Sequence, residues 1–213
     1  IVSAATATSL TVTVPLGTNY QYITVTNLST NTTAYSQKPF VPTLGCSPAT
    51  FSPKVDVSGG AMSVEIYDVD GDGKPDLVLP DYFNNVVCVS RNTGTSGTIS
   101  FAPKVDFASN VQPNDVALGD LDGDGKLDMA VVHTGASSVS TYKNTSTPGS
   151  ISFEPKVDFT AGTQPDGVKI IDFDGDGKPD IVSANWGSSN ISVLRNTTTA
   201  GTISFATAVN FAT

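Results

Sequence analysis

Three copies of one acidic motif constrain the fold of this chain more than any other feature of its 213-residue sequence. The motif Asp-x-Asp-Gly-Asp-Gly-Lys-x-Asp begins at Asp68, Asp120 and Asp172, so consecutive copies start 52 residues apart. A second motif, related to Phe-x-Pro-Lys-Val-Asp, recurs with nearly the same period and begins at Phe51, Phe101, Phe153 and Phe205. A period of about 50 residues indicates one supersecondary unit that is copied along the chain.

Each copy of this unit contains four short segments with the pattern of β-strands. In the second copy they are residues 116–119 before the acidic motif, the apolar run 129–132 after it, the alternating segment 139–142, and the Phe-x-Pro segment 153–159. The proline of the fourth segment suits a strand at the edge of a sheet, because proline has no N–H to donate. Four antiparallel strands in about 50 residues are the size of one β-propeller blade.

The predicted fold is all-β, with a partial β-propeller of three four-stranded blades over residues 58–107, 108–159 and 160–213. Residues 45–57 are interpreted as a linker that ends in an orphan outer strand, 51–57, with no blade of its own in front of it. Closed propellers contain about 4 to 8 blades, and proteins normally cover the open edges of a sheet. We therefore expect the remaining blades of a longer protein, another copy of this chain or a partner protein to cover the open edge.

The first 44 residues differ from the repeats. SLTVTVP (9–15) and YITVTN (22–27) alternate apolar and polar residues, and the glycine-containing segment LGTNYQ separates them. This pattern predicts a β-hairpin between the two segments. A further strand is predicted to end at Phe40.

The acidic motif has the spacing of a cation-binding loop. Its first, third and fifth positions are aspartates and its sixth is glycine, as in the first half of an EF-hand loop, whose seventh position contributes a backbone carbonyl. The aspartate at the ninth position, on the next strand, takes the place of the distant glutamate of that loop. The candidate ligands, with the lysines acting through their carbonyls, are Asp68, Asp70, Asp72, Lys74 and Asp76 in the first motif; Asp120, Asp122, Asp124, Lys126 and Asp128 in the second; and Asp172, Asp174, Asp176, Lys178 and Asp180 in the third.

Electrostatics favours a bound divalent ion at each motif. Two carboxylates about 4 Å apart repel each other by about 1 kcal/mol in water and by several times more at a partly buried site. Oxygen ligands without histidine or cysteine argue against zinc and copper, and flexible coordination by protein oxygens favours Ca²⁺ over Mg²⁺. We predict three Ca²⁺ sites, which would change the formal net charge from −9 to −3.

Composition excludes several classes of protein. With 11 basic against 20 acidic residues, the chain has no basic surface for nucleic acid. No apolar run approaches the ~20 residues of a membrane span. Two cysteines, Cys46 and Cys88, are too few for a disulfide framework, and the sequence leaves open whether they are bonded. Because the chain starts at Ile1 without an apolar leader, we interpret it as a processed product or a piece of a longer protein.

Two resemblances extend this interpretation. The segment SVEIYDVDGDGKPDLVLPDYFNNVVCVSRNTGTSGTISF resembles the FG-GAP/VCBS repeat of integrin-α-like β-propellers, and the resemblance covers about residues 51–213. It implies a Ca²⁺-holding loop between the first two strands of each blade. SAATATSLTVTVP and ITVTN, within residues 1–44, resemble the C-terminal part of an IPT/TIG immunoglobulin-like domain. Together they imply a module of a larger secreted or cell-surface protein, bacterial in origin, that mediates adhesion by binding a glycan or a protein.

Other functions are weighed against that one. A structural spacer or secretion-system cargo would have no ligand, and an enzyme acting on polysaccharides would need a nucleophile and a base. The single histidine, His133, lies at a variable polar position and no partner is evident, so we expect it to be structural and the chain to be no enzyme. Tyr82, Phe83 and Trp186 follow second strands and are candidates for stacking on sugars, although we expect them to pack between blades.

Overall fold

The computed structural model describes residues 54–57, 60–199 and 201–213 and, before them, the backbone of four short strands. The chain divides into two compact units, Ile1–Lys54 and Val55–Thr213. The finer domain boundaries given above stay predictions. In the described part of the chain, no helix is long and apolar enough to span a bilayer.

The first unit contains two small antiparallel hairpins. Strand β1 (Val2–Ala5) pairs with β2 (Leu10–Val12), and β3 (Thr24–Asn27) pairs with β4 (Thr32–Tyr35). The predicted hairpin between residues 9–15 and 22–27 is therefore wrong. Each segment pairs instead with a neighbour that is closer in sequence, and a shorter loop costs less entropy to close. The strand expected to end at Phe40 lies outside the described residues, and the IPT/TIG resemblance stays a prediction.

The second unit contains three four-stranded antiparallel sheets, which confirms the all-β prediction. In each sheet the strands follow one another in chain order. The first sheet consists of β5 (Glu65–Tyr67), β6 (Asp76–Asp81), β7 (Val86–Ser90) and β8 (Val105–Ala108). The second consists of β9 (Pro113–Gly119), β10 (Asp128–His133), β11 (Ser138–Tyr142) and β12 (Val157–Thr160). The third consists of β13 (Pro165–Ile171), β14 (Asp180–Asn185), β15 (Asn190–Leu194) and β16 (Val209–Ala212).

The strands of the second sheet contain the four predicted segments, with one change of boundary. The first three segments lie within β9, β10 and β11. The fourth strand, β12, begins only at Val157, after Pro155, while Phe153 makes an isolated bridge with Asn144. The fourth strand pairs only with the third, so it lies at the edge of the sheet as the proline predicted. Residues 54–57 are not part of a strand in this structure, and the orphan outer strand stays a prediction.

Two apolar cores hold the three sheets together. All six residues of β10 are buried, and its side chains alternate between the two cores. Met129 and Val131 belong to the core shared with the first sheet, and Ala130 and Val132 belong to the core shared with the third. Burial on both faces explains why the second segment of each repeat is a nearly continuous apolar run.

The first strands of neighbouring sheets also contact each other, β5 with β9 and β9 with β13. At Gly119 of β9, a Cβ atom would lie 2.7 Å from Cγ2 of Ile170 in β13. A side chain at this position would force Ile170 or the strands to shift, so glycine permits the close contact between the second and third sheets.

Candidate metal site

The acidic motif of each repeat forms the loop between the first and second strands of its sheet. This is the location that the resemblance implied. Within the first loop, Gly71 and Gly73 have φ angles of 77° and 85°. These are left-handed conformations that glycine adopts without steric cost, and the corresponding glycines of the other two loops share them. The backbone of the loop therefore reverses direction, which allows aspartate side chains of one motif to approach one another.

Three carboxylates converge in each loop, from the first, third and ninth positions of the motif. In each group, one oxygen atom from every residue lies within 4.8 Å of the others. The groups are Asp68, Asp70 and Asp76; Asp120, Asp122 and Asp128; and Asp172, Asp174 and Asp180. The structure thus brings together nine of the twelve aspartates that the sequence nominated.

Backbone hydrogen bonds hold the carboxylate at the first position. Oδ1 of Asp68 accepts from N of Gly71 at 2.9 Å, and Oδ2 accepts from N of Gly73 at 2.8 Å. The same two bonds recur at Asp120 and Asp172. Since these donors belong to the loop itself, the first carboxylate is positioned by local backbone geometry.

The carboxylate at the ninth position is anchored in the sheet instead. Asp76 begins β6 and is fully buried. It accepts from N of Val69 at 3.0 Å and from N of Asn92, beyond the third strand, at 2.8 Å. Asp128 and Asp180 accept the equivalent pairs of bonds. The ninth position therefore links the acidic loop to the interior of its own sheet.

Burial and crowding of negative charge disfavour the ionised form of this buried carboxylate. Burial raises the pKa of Asp128 to about 6, and the charges of Asp122 and Asp124 raise it further against two backbone hydrogen bonds. Burial likewise raises the pKa of Asp76. A bound cation would reverse this effect, because opposite charge stabilises a carboxylate. The donor set fits a hard divalent cation.

The aspartates at the fifth position lie outside these clusters. Oδ1 of Asp72 accepts from the backbone N of Lys74 at 2.9 Å, and Asp124 and Asp176 make the equivalent bond with Lys126 and Lys178. Ligation by the fifth carboxylate and by the lysine carbonyls stays a prediction.

Sequence reasoning missed a basic residue beside the loop. The Nζ atom of Lys143 donates to Asp122 and lies 3.5 Å from Oδ2 of Asp124. In the first repeat, NH1 of Arg91 lies 3.7 Å from Oδ2 of Asp72. The signal was present in the sequence, because Arg91, Lys143 and Arg195 are 52 residues apart, each just before a repeated asparagine.

Comparison with known families finds one repeat family across all three acidic loops. The FG-GAP-like repeat family matches residues 68–131 and 124–183, which together make up more than half of the chain. The chain belongs to the FG-GAP-like repeat family. The two matched segments run from the first acidic loop into β14, the strand that directly follows the third acidic loop. No curated protein matches the sequence.

The single histidine of these FG-GAP-like repeats is buried and not on the surface. The His133 side chain is fully buried at the end of β10, and Nε2 lies 2.7 Å from Oγ of Ser109, a partner that the sequence did not reveal. Nδ1 faces the carbonyl and the hydroxyl of Ser138. The equivalent residues Asp81 and Asn185 are also buried. Asp81 accepts from N of Asn84 in the turn that follows its strand, and the side-chain amide of Asn185 donates to Asn190 and Ser192 of the next strand, β15. This position therefore has a structural role in all three repeats.

We expect His133 to make the folded protein sensitive to acid. Burial lowers its pKa to about 4, below the ordinary value of 6.5. As the pH falls, His133 is therefore protonated in the unfolded chain before it is protonated in the folded protein. The contribution of the neutral imidazole to the free energy of unfolding is fully present above pH 6.5 and is lost as the pH falls towards 4. The total loss in the free energy of unfolding is about 3 kcal/mol. His133→Asn, which copies Asn185, should remove this component from urea unfolding curves measured between pH 7 and pH 4. The same acid dependence in the variant would show that His133 is not its source.

Cys88 is a free thiol in β7 and is fully buried. Burial raises its pKa to about 11, so the protonated, weakly nucleophilic form predominates. Cys46 lies outside the described residues.

The exposed aromatic residues do not pack between the sheets of this chain. Phe83 is 77% exposed and Trp186 is 75% exposed, whereas Tyr82 is half-buried against Phe83 with the two ring centroids 5.3 Å apart. The expectation that they pack between blades is therefore wrong for Phe83 and Trp186. Both lie in the turn between the second and third strands, at the end of the sheet opposite the acidic loop.

Proposed function

We propose that this chain is a calcium-binding β-propeller module of a larger extracellular protein, in which the three sheets are blades. The observation that carries the proposal is the same cluster of three carboxylates at the same place in every sheet. The order of the strands and the contacts between the first strands of successive sheets support a radial arrangement, with the first strand of each blade innermost.

Calcium is the cation that the clusters favour. Every donor in them is a carboxylate oxygen, while the histidine and the cysteine that the structure describes, His133 and Cys88, lie in strands β10 and β7 away from the loops. Ca²⁺ accepts several oxygen ligands in flexible geometry, whereas Mg²⁺ keeps its waters. The carboxylates of each cluster would hold the ion, with the fifth-position aspartate and the lysine carbonyl completing the set. The bound ion would stabilise the loop and the strand that follows it.

An extracellular location suits both the family and the ion. FG-GAP-like repeats are typical of extracellular proteins, and extracellular modules work with calcium sites of only millimolar to submillimolar affinity. We place the chain in a secreted or cell-surface protein of bacterial origin, where the FG-GAP-like unit follows an IPT/TIG-like segment.

Adhesion through a glycan or a protein is the function we assign to the module. Exposed aromatic rings such as Phe83 and Trp186 are suited to stacking on sugar rings. Because these rings lie at the end of the sheets opposite the acidic loops, ligand binding and metal binding occupy different ends of the module.

A glycan array probed with the purified chain in calcium tests this assignment. We expect binding that falls at least tenfold, equivalent to about 1.4 kcal/mol, in both Trp186→Ala and Phe83→Ala. The control is Val157→Ala, which removes an exposed apolar side chain from the edge strand β12. Binding that persists in both aromatic variants would contradict the aromatic site, and absence of any ligand would favour a structural spacer.

We also propose that the module is not catalytic. The imidazole of His133 is fully buried, and Ser138, not a carboxylate, faces its Nδ1 atom. A buried imidazole with this environment is poorly suited to activate Ser109 as a nucleophile. Turnover of polysaccharides by the purified chain, abolished by Ser109→Ala, would reverse this assignment.

A further inference from the structure

We infer that copies of this chain associate head to tail, with the third sheet of one copy packing against the first sheet of another through the contacts that already join the sheets within the chain. The two surfaces concerned are defined by the 52-residue repeat. The trailing face is the side of the third sheet whose residues lie 52 positions after Leu121, Ala130, Val139, Thr141 and Phe159, which the second sheet turns towards the third: Phe173, Val182, Ile191, Val193 and Phe211. The leading face is the side of the first sheet whose residues lie 52 positions before Val116, Leu118, Met129, Ile151 and Phe153, which the second sheet turns towards the first: Val64, Ile66, Leu77, Ile99 and Phe101.

The trailing face corresponds to surfaces that the first two sheets bury. The apolar residue at the second position of the acidic motif is 4% exposed at Val69 and 1% exposed at Leu121, where another sheet follows. At Phe173, in the third sheet, it is 63% exposed. The side chains of β15 on this face, Ile191 and Val193, are only half-buried, whereas their counterparts in the first two sheets are buried.

The leading face shows the same contrast. Val116 and Val168, where another sheet precedes, are 0% and 2% exposed, but the equivalent Val64 is 53% exposed. Ile66 is also exposed, while its counterpart Leu118 belongs to the core between the first two sheets. Each face is thus one half of a core that is complete elsewhere in the chain.

Aromatic residues supply a second repeated contact. Phe107 of the first sheet meets Phe153 of the second edge to face, with ring centroids 5.1 Å apart, and Phe159 meets Phe205 of the third in the same geometry. The first ring of each pair recurs 52 residues later in the chain, so the next ring in the series is Phe211, on the trailing face. Its expected partner is Phe101, the counterpart of Phe153, on the leading face of another copy. A groove of about 240 Å³ on the trailing face, lined by Phe173, Val193 and Phe211 among others, would receive that ring.

A hydrogen bond also joins each sheet to the acidic loop of the sheet before it. The side-chain amide of Asn144 donates to the carbonyl of Val69 in the preceding loop at 3.0 Å, and Asn196 donates to Leu121 at 2.9 Å. By the same repeat, the side-chain amide of Asn92 on one copy is expected to donate to the carbonyl of Phe173 on another copy. Apolar, aromatic and polar contacts therefore all point to a sheet of the same repeat as the partner, and a second copy of this chain supplies such a sheet.

Association between unlike faces closes a ring or continues as an open chain. Two copies joined at both ends would assemble six sheets, within the range of about 4 to 8 blades found in propellers.

Two single substitutions test the inference, because each should disable one face only. Phe211→Asp places a charge on the trailing face and Val64→Asp places one on the leading face, both at exposed positions that the fold tolerates. Val157→Asp, at a valine 49% exposed on β12, is the matched control. The mass of each chain is measured by sedimentation velocity in calcium over a wide range of concentration, and melting curves verify that the variants fold.

We expect the unaltered chain and Val157→Asp to form species of two or more chains, and each face variant alone to be monomeric. Mixing the two face variants should restore a heterodimer, since the intact leading face of Phe211→Asp fits the intact trailing face of Val64→Asp. A monomeric unaltered chain would overturn the inference. So would association that is lost in only one of the two face variants, which would indicate contact between like faces.

Discussion

Removal of calcium with EDTA is expected to lower the melting temperature of this protein by about 15 °C or more. An ion that binds only the folded state stabilises it by about 2.7 kcal/mol when its concentration is one hundred times Kd, which is about 10 mM calcium for sites of about 0.1 mM affinity. Three such sites contribute about 8 kcal/mol together. The effect should be large because the ion also relieves repulsion among three carboxylates within 4.8 Å of one another. Differential scanning calorimetry with calcium, with EDTA, and with magnesium in place of calcium measures it.

One substitution separates the sites from one another. Asp120→Asn weakens only the second cluster, so calcium titration should fall from three ions to two and the effect of EDTA should shrink by about one third. Asp106→Asn is the matched control. Asp106 lies on the edge strand β8, forms an ion pair with Lys104 and is not part of a carboxylate cluster. A melting temperature that does not change with EDTA would contradict metal dependence in all three repeats. Three bound ions in Asp120→Asn would contradict the ligand assignment.

The sheets and the clusters could be predicted because the repeat gives the same signal three times. Alternation alone would leave Met129–Val132 ambiguous, since a continuous apolar run fits a buried helix as well as a strand. The period resolves this ambiguity by placing an acidic loop before each run and an alternating strand after it. The aspartates converge because the glycines of the loop fix its backbone, and these glycines are visible in the sequence.

The sequence could not predict which aspartate side chains of the loop join the carboxylate cluster. The spacing gives Asp122 and Asp124 equal weight, but the structure turns Asp122 into the cluster and Asp124 towards the backbone N of Lys126. The outcome depends on competition with nearby donors, among them Lys143, which is brought close only when the third strand pairs with the second. Sequence spacing carries no information on such a competition.

Contacts between distant strand ends were also missed. Ser109 follows β8 in the first sheet and His133 ends β10 in the second, so their contact depends on how two sheets pack. In the N-terminal unit, alternation identified extended segments but not their partners, because the same pattern fits any antiparallel neighbour.

Loss of the Asn144 side chain is expected to destabilise the second sheet strongly. The side chain is 1% exposed and makes three hydrogen bonds, donating to the carbonyls of Val69 at 3.0 Å and Leu127 at 2.8 Å and accepting from N of Ser146 at 2.8 Å. Asn144→Ala leaves these buried groups without their partner, at about 1–3 kcal/mol for each group that stays unsatisfied. We expect the free energy of unfolding to fall by about 3–5 kcal/mol.

Asn92 is the natural control, because it occupies the same position in the first sheet. Its side chain donates to the carbonyl of Pro75 at 2.9 Å and accepts from N of Gly94 at 2.8 Å, which are the two local bonds of Asn144 without the bond to a preceding loop. Urea unfolding in the Phe211→Asp background, where copies no longer associate, should therefore show a smaller loss for Asn92→Ala than for Asn144→Ala. Because Asn92 is only half-buried, the difference combines the greater burial of Asn144 with the hydrogen bond that joins the second sheet to the acidic loop of the first. Equal losses would mean that this bond contributes nothing to the coupling between neighbouring sheets, and that their apolar cores alone hold them together.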